Sequence, residues 1–427
     1  MSTMNVKASS GGEEDASGMR SATLGEGSRS GDIKKGQAII AACVIATIEL
    51  TFIFMQMGVM PYLAKSIGLD SVGFGYLQTT FGVLQLVGGS IFGRFADKFG
   101  ARAALILSCA SGSAFFLLTS ISTSIPLLFL SRLPAVFMHG LPGAQKVITD
   151  MTTPSQRADA LGKLGLCFGI GIIIGSVLGG VLSTKFGIFA PIYVGLVANL
   201  INVMIAMFWI PLQAKPKTDH HLTEHSNVFS IREILRLMKF PGVMEVFIVK
   251  VFAGLPLGLF LIMFSIISMD FFGLEAVEHG YLMSYFGVLQ MVVQGLVIGK
   301  LTSRCTEMTL LKLSVFVFAG VGLGMALMRT VWHYCIIAVP LVFAFNTLGT
   351  ITDSILTKAV PSSDTGTMLG ICASVQPLTR TVGPTIGGVL YKHFGVSSFG
   401  YLQLIVNIGL FVYLLKSNIP LTEMKSQ

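Results

Sequence analysis

Apolar residues fill this chain in long blocks, broken at short intervals by Lys, Arg, Asp, Gly and Pro. Crossing a hydrocarbon core takes about 20 mainly apolar residues in a helix rising 1.5 Å per residue. Twelve blocks reach that length, near 37–60, 72–95, 103–122, 126–149, 161–183, 190–210, 242–268, 279–299, 309–328, 333–356, 367–391 and 398–415. The pattern predicts an all-α integral membrane protein with twelve transmembrane helices. Its organisation is a disordered cytosolic tail over 1–36, a six-helix half over 37–210, a linker over 211–241, a second half over 242–416 and a short tail over 417–427.

The division into halves rests on an internal repeat. Gly75-Tyr76-Leu77 and Phe81-Gly82-Val83-Leu84-Gln85 return as Gly280-Tyr281-Leu282 and Phe286-Gly287-Val288-Leu289-Gln290. Likewise Gly175, Gly179-Gly180-Val181-Leu182 and Phe186-Gly187 return as Gly383, Gly387-Gly388-Val389-Leu390 and Phe394-Gly395. Two copies of one membrane unit, able to rock about a shared midplane site, are the architecture of secondary transporters.

Charge then orients the chain. Only 12% of residues are charged, against about 25% in soluble domains, and the mean hydropathy is +0.77. A net charge of +8 raises nucleic acid as a partner, but 21 of the 29 Lys and Arg lie in loops on one side. Lys65, Lys185, Arg329 and Lys392 alone lie on the other. This is the positive-inside signature, which puts both termini in the cytosol and removes nucleic acid from consideration. The six cysteines show no CxxC spacing, and no Asn-x-Ser/Thr sequon occurs. Neither a metal site, a cofactor nor a disulfide frame is indicated. In the linker, Phe229 to Phe240 sets apolar residues opposite Arg232, Arg236 and Lys239, as expected of a helix lying in the inner leaflet interface.

Gly93-Arg94-Phe95-Ala96-Asp97-Lys98-Phe99-Gly100-Ala101-Arg102 follows the second span. It resembles the signature loop of the major facilitator superfamily, with Ala101 in place of the first base of the terminal pair. The resemblance implies a gating latch built on Gly93, Asp97, Lys98, Gly100 and Arg102. Gly171, Gly175, Gly179 and Gly180 in the fifth span are similar to the antiporter motif of the superfamily's drug:proton exchangers, with Ser176 where proline is usual. Gly383, Pro384, Gly387 and Gly388 supply the proline version in the eleventh span. Arg132 stands where the exchangers carry an arginine. Beyond the tail the chain resembles solute carrier family 22, although the stretch from Pro61 to Ser71 is only eleven residues, without that family's large first outer loop. What this implies is a monomeric transport unit moving organic cations or lipophilic amine drugs in exchange for protons. Its location would be multi-pass in the plasma membrane, apical included, or in an intracellular membrane.

Charges inside the spans are the candidate chemistry, since each costs about 2.5–3.5 kcal/mol at mid-bilayer on insertion scales. Glu49 lies twelve residues into the first span, about 18 Å of rise. A proton and a cation would compete for its carboxylate, which is what exchange requires. A hydrogen bond to Gln56, Arg132 or the fourth span is the structural alternative. Asp353 and Arg380 are further substrate or proton candidates, with Asp353 a natural partner for Arg380. Gln85 and Gln290, from the repeated spans, are expected to face the cavity from opposite halves. Arg132, Lys250 and Arg380 together outnumber the central acid, so an anionic or zwitterionic cargo is an alternative. The degenerate second latch, Thr302, Ser303 and Cys305, leaves a non-transporting scaffold as another. Enzymatic activity is not expected, because no Gly-x-x-x-x-Gly-Lys-Ser/Thr, His-Glu-x-x-His or Gly-x-Ser-x-Gly occurs.

Overall fold

The computed structural model describes residues 13–152, 154–212, 231–360 and 365–419, all helical apart from short connections. The first half contains α1 (Glu13–Ile67), α2 (Ser71–Phe99), α3 (Ala101–Ser120), α4 (Ile125–Leu130), a 3-10 turn (Leu133–Phe137), α5 (Gly140–Met151), α6 (Pro154–Phe186) and α7 (Ala190–Trp209). After a short α8 (Ile231–Met238), the second half contains α9 (Val243–Ala253), α10 (Leu255–Ile262), α11 (Phe264–Asp270) and α12 (Ala276–Val292). It continues through a π segment (Val293–Val297) into α13 (Ile298–Arg304), α14 (Glu307–Leu327), α15 (Val331–Ala359), α16 (Thr365–Phe394) and α17 (Ser397–Lys416). Among the described residues, ten stretches are long and apolar enough to cross a membrane. The other two expected spans fall in α2 and α16, helices of 29 and 30 residues.

Three elements differ from the sequence pattern. Residues 13–36, expected to be disordered, are helical, because a helix already formed over an apolar span extends at one hydrogen bond per residue without a new nucleus. No proline interrupts α1 before Pro61. The fourth span is broken into α4, the 3-10 turn and α5, where Pro134 and Gly140 disrupt the ladder. The seventh is broken into α9, α10 and α11 at Gly254–Pro256 and again at Met263. The polar stretch of the linker, 220–227, lies outside the described residues. Of its helix, α8 buries Leu237 and Met238 in the main hydrophobic core, so part of its apolar face meets protein.

Small residues set the helix spacing, as expected where lipid removes the hydrophobic drive and close packing must hold helices together. Along α6, Gly171, Gly175 and Gly179 lie against Leu50, Thr51 and Met55 of α1. Gly383 and Gly387 of α16 repeat this against Leu259 and Ile262 of α10 and the Met263 that follows it. The halves are joined by the duplicated motifs crossing over. In α2, Gly75 lies on the Pro384 carbonyl and Gly82 on the Arg380 carbonyl of α16; in α12, Gly280 lies on the Ser176 carbonyl and Gly287 on Ile172 of α6. These are equivalent positions of the two copies, so two seams are related by a pseudo-two-fold axis.

The seams lie toward one end of the bundle, here termed the Asp70 end. The cross-half hydrogen bonds of the described residues share that bias: Tyr62 hydroxyl to Leu274 carbonyl at 2.8 Å, Thr79 to Thr385 at 2.7 Å, Ser284 to Ile173 carbonyl at 3.0 Å, and Lys392 to Asp70 at 2.9 Å. The core behaves alike. Met60, Leu63, Phe74 and Leu77 join the second half in one cluster, whereas Ala42, Ile45, Val147, Ile148 and Leu164, toward the Gly100 end, form a separate one.

Candidate functional site

Glu49 is 6% exposed on α1. The break in the fourth span points an N-terminus at it: the Gly140 N–H, first of α5, donates to Glu49 Oε1 at 3.2 Å. No side chain of α5 caps that end, so a carboxylate from another helix serves there, where unsatisfied N–H groups and the helix dipole favour negative charge. Glu49 Oε2 is buried and meets no hydrogen-bond partner among the described residues. Of the alternatives the sequence left open for Glu49, the fourth span supplies the bond. Gly140 is required, because a methyl there would occupy the carboxyl group's place, its Oε1 lying 2.6 Å away.

The break itself is held from α2 and α3. Gln85 Nε2 donates to the Met138 carbonyl at 3.1 Å, and the His139 N–H donates to Ser108 Oγ at 3.1 Å. Gly88 gives the Val136 carbonyl room against α2. Phe92 packs on the His139 ring at 5.2 Å. Gln85 therefore secures the turn behind Glu49. Its repeat partner Gln290 is half-buried on α12.

Arg132 sits between α4 and the 3-10 turn, 3% exposed. Its Nη2 donates to Thr119 Oγ1 at 2.8 Å and its Nε to Ser131 Oγ at 3.1 Å, with the guanidinium 4.2 Å from the Phe115 ring centre. Its partners are hydroxyls and a ring, and Glu49 is not among them.

In the second half, Lys250 of α9 pairs with Asp353 of α15, Nζ to Oδ1 at 2.7 Å, with the lysine side chain 13% and the aspartate side chain 43% exposed. Nζ also donates to Thr352 Oγ1 at 3.4 Å. The buried Cys372 thiol of α16 lies within hydrogen-bonding reach of Asp353. Asp353 thus finds Lys250 rather than Arg380. The sequence concealed this pair because its members are about a hundred residues apart, and periodicity along one helix says nothing of a partner on another. Arg380 is exposed, with no ion-pair partner among the described residues.

Of the expected latch, Gly93 and Asp97 lie in the last turns of α2, and the Asp97 side chain is outside what is described. Gly100 turns the chain from α2 to α3 at φ +92°, a conformation that favours glycine. Lys98 lies over the Phe99 ring, and Arg102 Nη2 donates to the Met207 carbonyl at 2.7 Å, at the carbonyl-rich end of α7. Among the described residues no group of three or more His, Cys, Asp and Glu could hold a metal ion.

Paired repeat halves, apolar helices and charges buried inside them define a multi-pass membrane transporter. The sequence matches the Major Facilitator Superfamily over residues 42–352, and the chain belongs to that superfamily. Solute carrier family 22 member 18 of Rattus norvegicus is 56% identical over 391 residues, 90% of this chain and 94% of that protein. Solute carrier family 67 member A1 of Homo sapiens is 51% identical over 396 residues, 90% and 93% of the two chains. The crystal structure of the nucleoside transporter NupG has the same fold, with TM-score 0.69 at 15% identity, over 89% of this chain and 100% of that one.

Proposed function

We propose that this protein exchanges small organic cations, lipophilic amines among them, for protons by alternating access, with Glu49 as the proton-carrying carboxylate. The observation that carries the reading is the Glu49 carboxyl, buried mid-helix, with Oε1 on the Gly140 N–H and Oε2 without a partner among the described residues. A single N–H satisfies part of an anion's demand, so the group exchanges a proton as its surroundings open and close. Asp353, whose side chain is 43% exposed, is the carboxylate that meets the cargo's cationic group.

In this reading the chain spans the bilayer twelve times as a monomeric unit, with both termini and the Gly100 end in the cytosol. What supports the orientation is the crowding of Lys and Arg on that side; what supports a cytosol-facing arrangement is the joining of the halves at the Asp70 end. The test is uptake of labelled 1-methyl-4-phenylpyridinium into proteoliposomes under a pH gradient. Glu49→Gln should abolish the gradient-driven component, and a variant transporting like wild type would sink the assignment.

A second reading, an anionic or zwitterionic cargo, is favoured by exposed Arg380. Competition by carboxylates rather than by tetraalkylammonium ions in the same assay would select it.

A further inference from the structure

We infer that Lys250 is a built-in rival of the cargo: its ammonium occupies Asp353 in the empty transporter, and a cationic substrate must displace it to bind. The inference rests on Asp353 being the cargo's counter-charge, as proposed above, and adds what sets the strength and selectivity of that contact. The geometry is asymmetric. Lys250 Nζ approaches Asp353 from the protein side, its side chain 13% exposed, while Asp353 presents 43% of its side chain to open space. A cation arriving from the open side thus meets a carboxylate already neutralised from behind.

Lys250 has somewhere to go. It lies in the third turn of α9, close to the chain's entry at Gly242, and a four-carbon stem lets an ammonium near a helix end reach the aqueous boundary. Its second contact, Thr352 Oγ1 at 3.4 Å, is long, and that hydroxyl already donates to the Leu348 carbonyl at 2.6 Å, so little is lost when the ammonium leaves. The half-exposed positions Asn346, Gly349, Thr350 and Asp353 recur at helical spacing along α15. A stripe of that composition in a membrane helix faces a cavity or the bundle interior rather than lipid. The buried Asn346 Nδ2, without a partner among the described residues, adds a donor two turns from Asp353. The site accordingly takes a cation able to outcompete a tethered primary amine at Asp353. Selectivity is a difference between two occupants of one carboxylate, and the tethered lysine is the reference against which every cargo is measured.

The experiment is equilibrium binding of labelled 1-methyl-4-phenylpyridinium to the full-length protein in proteoliposomes, with exchange rates measured alongside. Lys250→Met should tighten binding about five- to tenfold and slow maximal exchange, because release loses its competitor; Lys250→Arg should restore wild-type behaviour. In wild type, where folding is not in question, saturating cation should raise acylation of Lys250 several-fold by mass spectrometry. Unchanged binding in Lys250→Met, or unchanged Lys250 reactivity, with binding lost in Asp353→Asn, overturns the inference and leaves the exchange reading standing. Full binding in Asp353→Asn overturns the assignment of Asp353 itself.

Discussion

The two seams at the Asp70 end are built from glycine and predict a specific response to a single methyl group. A Cβ on Gly82 would stand 2.6 Å from the Arg380 carbonyl, and one on Gly180 would stand 2.5 Å from the Ala276 carbonyl. Ordinary contact begins at 3.4 Å, so Gly82→Ala and Gly180→Ala require each seam to open by about 0.8–0.9 Å. The obstructing atoms are backbone, which cannot rotate away. Overpacking of this kind costs about 1–3 kcal/mol, and the cost falls only on the state in which the seam is closed. A bias of about 2 kcal/mol moves a two-state equilibrium about thirtyfold. Spin labels at Ser66 and Arg329, both exposed near the Asp70 end, in a background with the six cysteines replaced, would report the separation by double electron–electron resonance. The double alanine variant should shift the distribution to longer distances and lower exchange while the detergent-solubilised protein stays monodisperse. A distribution identical to that of the parent would show that the seams do not govern closure at this end.

Gly140→Ala places a methyl in the space of the Glu49 carboxyl; the carboxyl swings aside, and pH-driven exchange should fall toward the Glu49→Gln level with little change in thermal stability. At the Asp70–Lys392 pair, the Gly73 N–H first and then Lys392 hold Asp70 below the usual carboxylate range. A depressed carboxylate contributes above that range and loses its contribution only as pH falls through its own lowered value, so Asp70→Asn should alter closure equally across about pH 5–8. A pH-dependent difference within that window would contradict it. Arg132 holds a buried charge on hydroxyls and a ring, so Arg132→Met should match or exceed the stability of Arg132→Lys, which keeps the charge and loses the fork, by about 1–3 kcal/mol. Thermal unfolding in detergent decides the order. Loss of pH-driven exchange in a stable Arg132→Met would instead give Arg132 a coupling role.

Periodicity exposed the duplicated halves because glycine spacing is a local signal that survives duplication. It marked Gly75 and Gly82 beside Gly280 and Gly287, and these are the residues that cross between halves. The depth of Glu49 was legible from its distance along an unbroken apolar run. Its partner was legible only as one of three alternatives, the fourth span among them: Gly140 itself meets Glu49 because Pro134 and Gly140 break that span, and a hydrophobicity window averages such a break away. The Lys250–Asp353 pair was hidden for another reason, since spacing along one helix is blind to what a second helix brings. In α1, composition misled over 13–36, because serine and glycine lower helix propensity by at most about 1 kcal/mol each and an adjoining helix overrides that.

The seams also account for where charge is absent. Backbone laid on backbone at Gly75, Gly82, Gly180 and Gly280 leaves no volume for an ionised side chain between α2 and α16 or between α6 and α12. The buried or half-buried charges Glu49, Arg132, Lys250 and Asp353 accordingly fall on α1, the α4–α5 break, α9 and α15, elements that form neither seam. Arg380 is the exception: its carbonyl is the surface on which Gly82 rests, while the residue as a whole is exposed. An exposed residue whose backbone belongs to a seam moves when the halves move. Any anion held by its guanidinium is thereby tied to closure by a single residue, whereas occupancy of Asp353 has to be transmitted through α15 and α16.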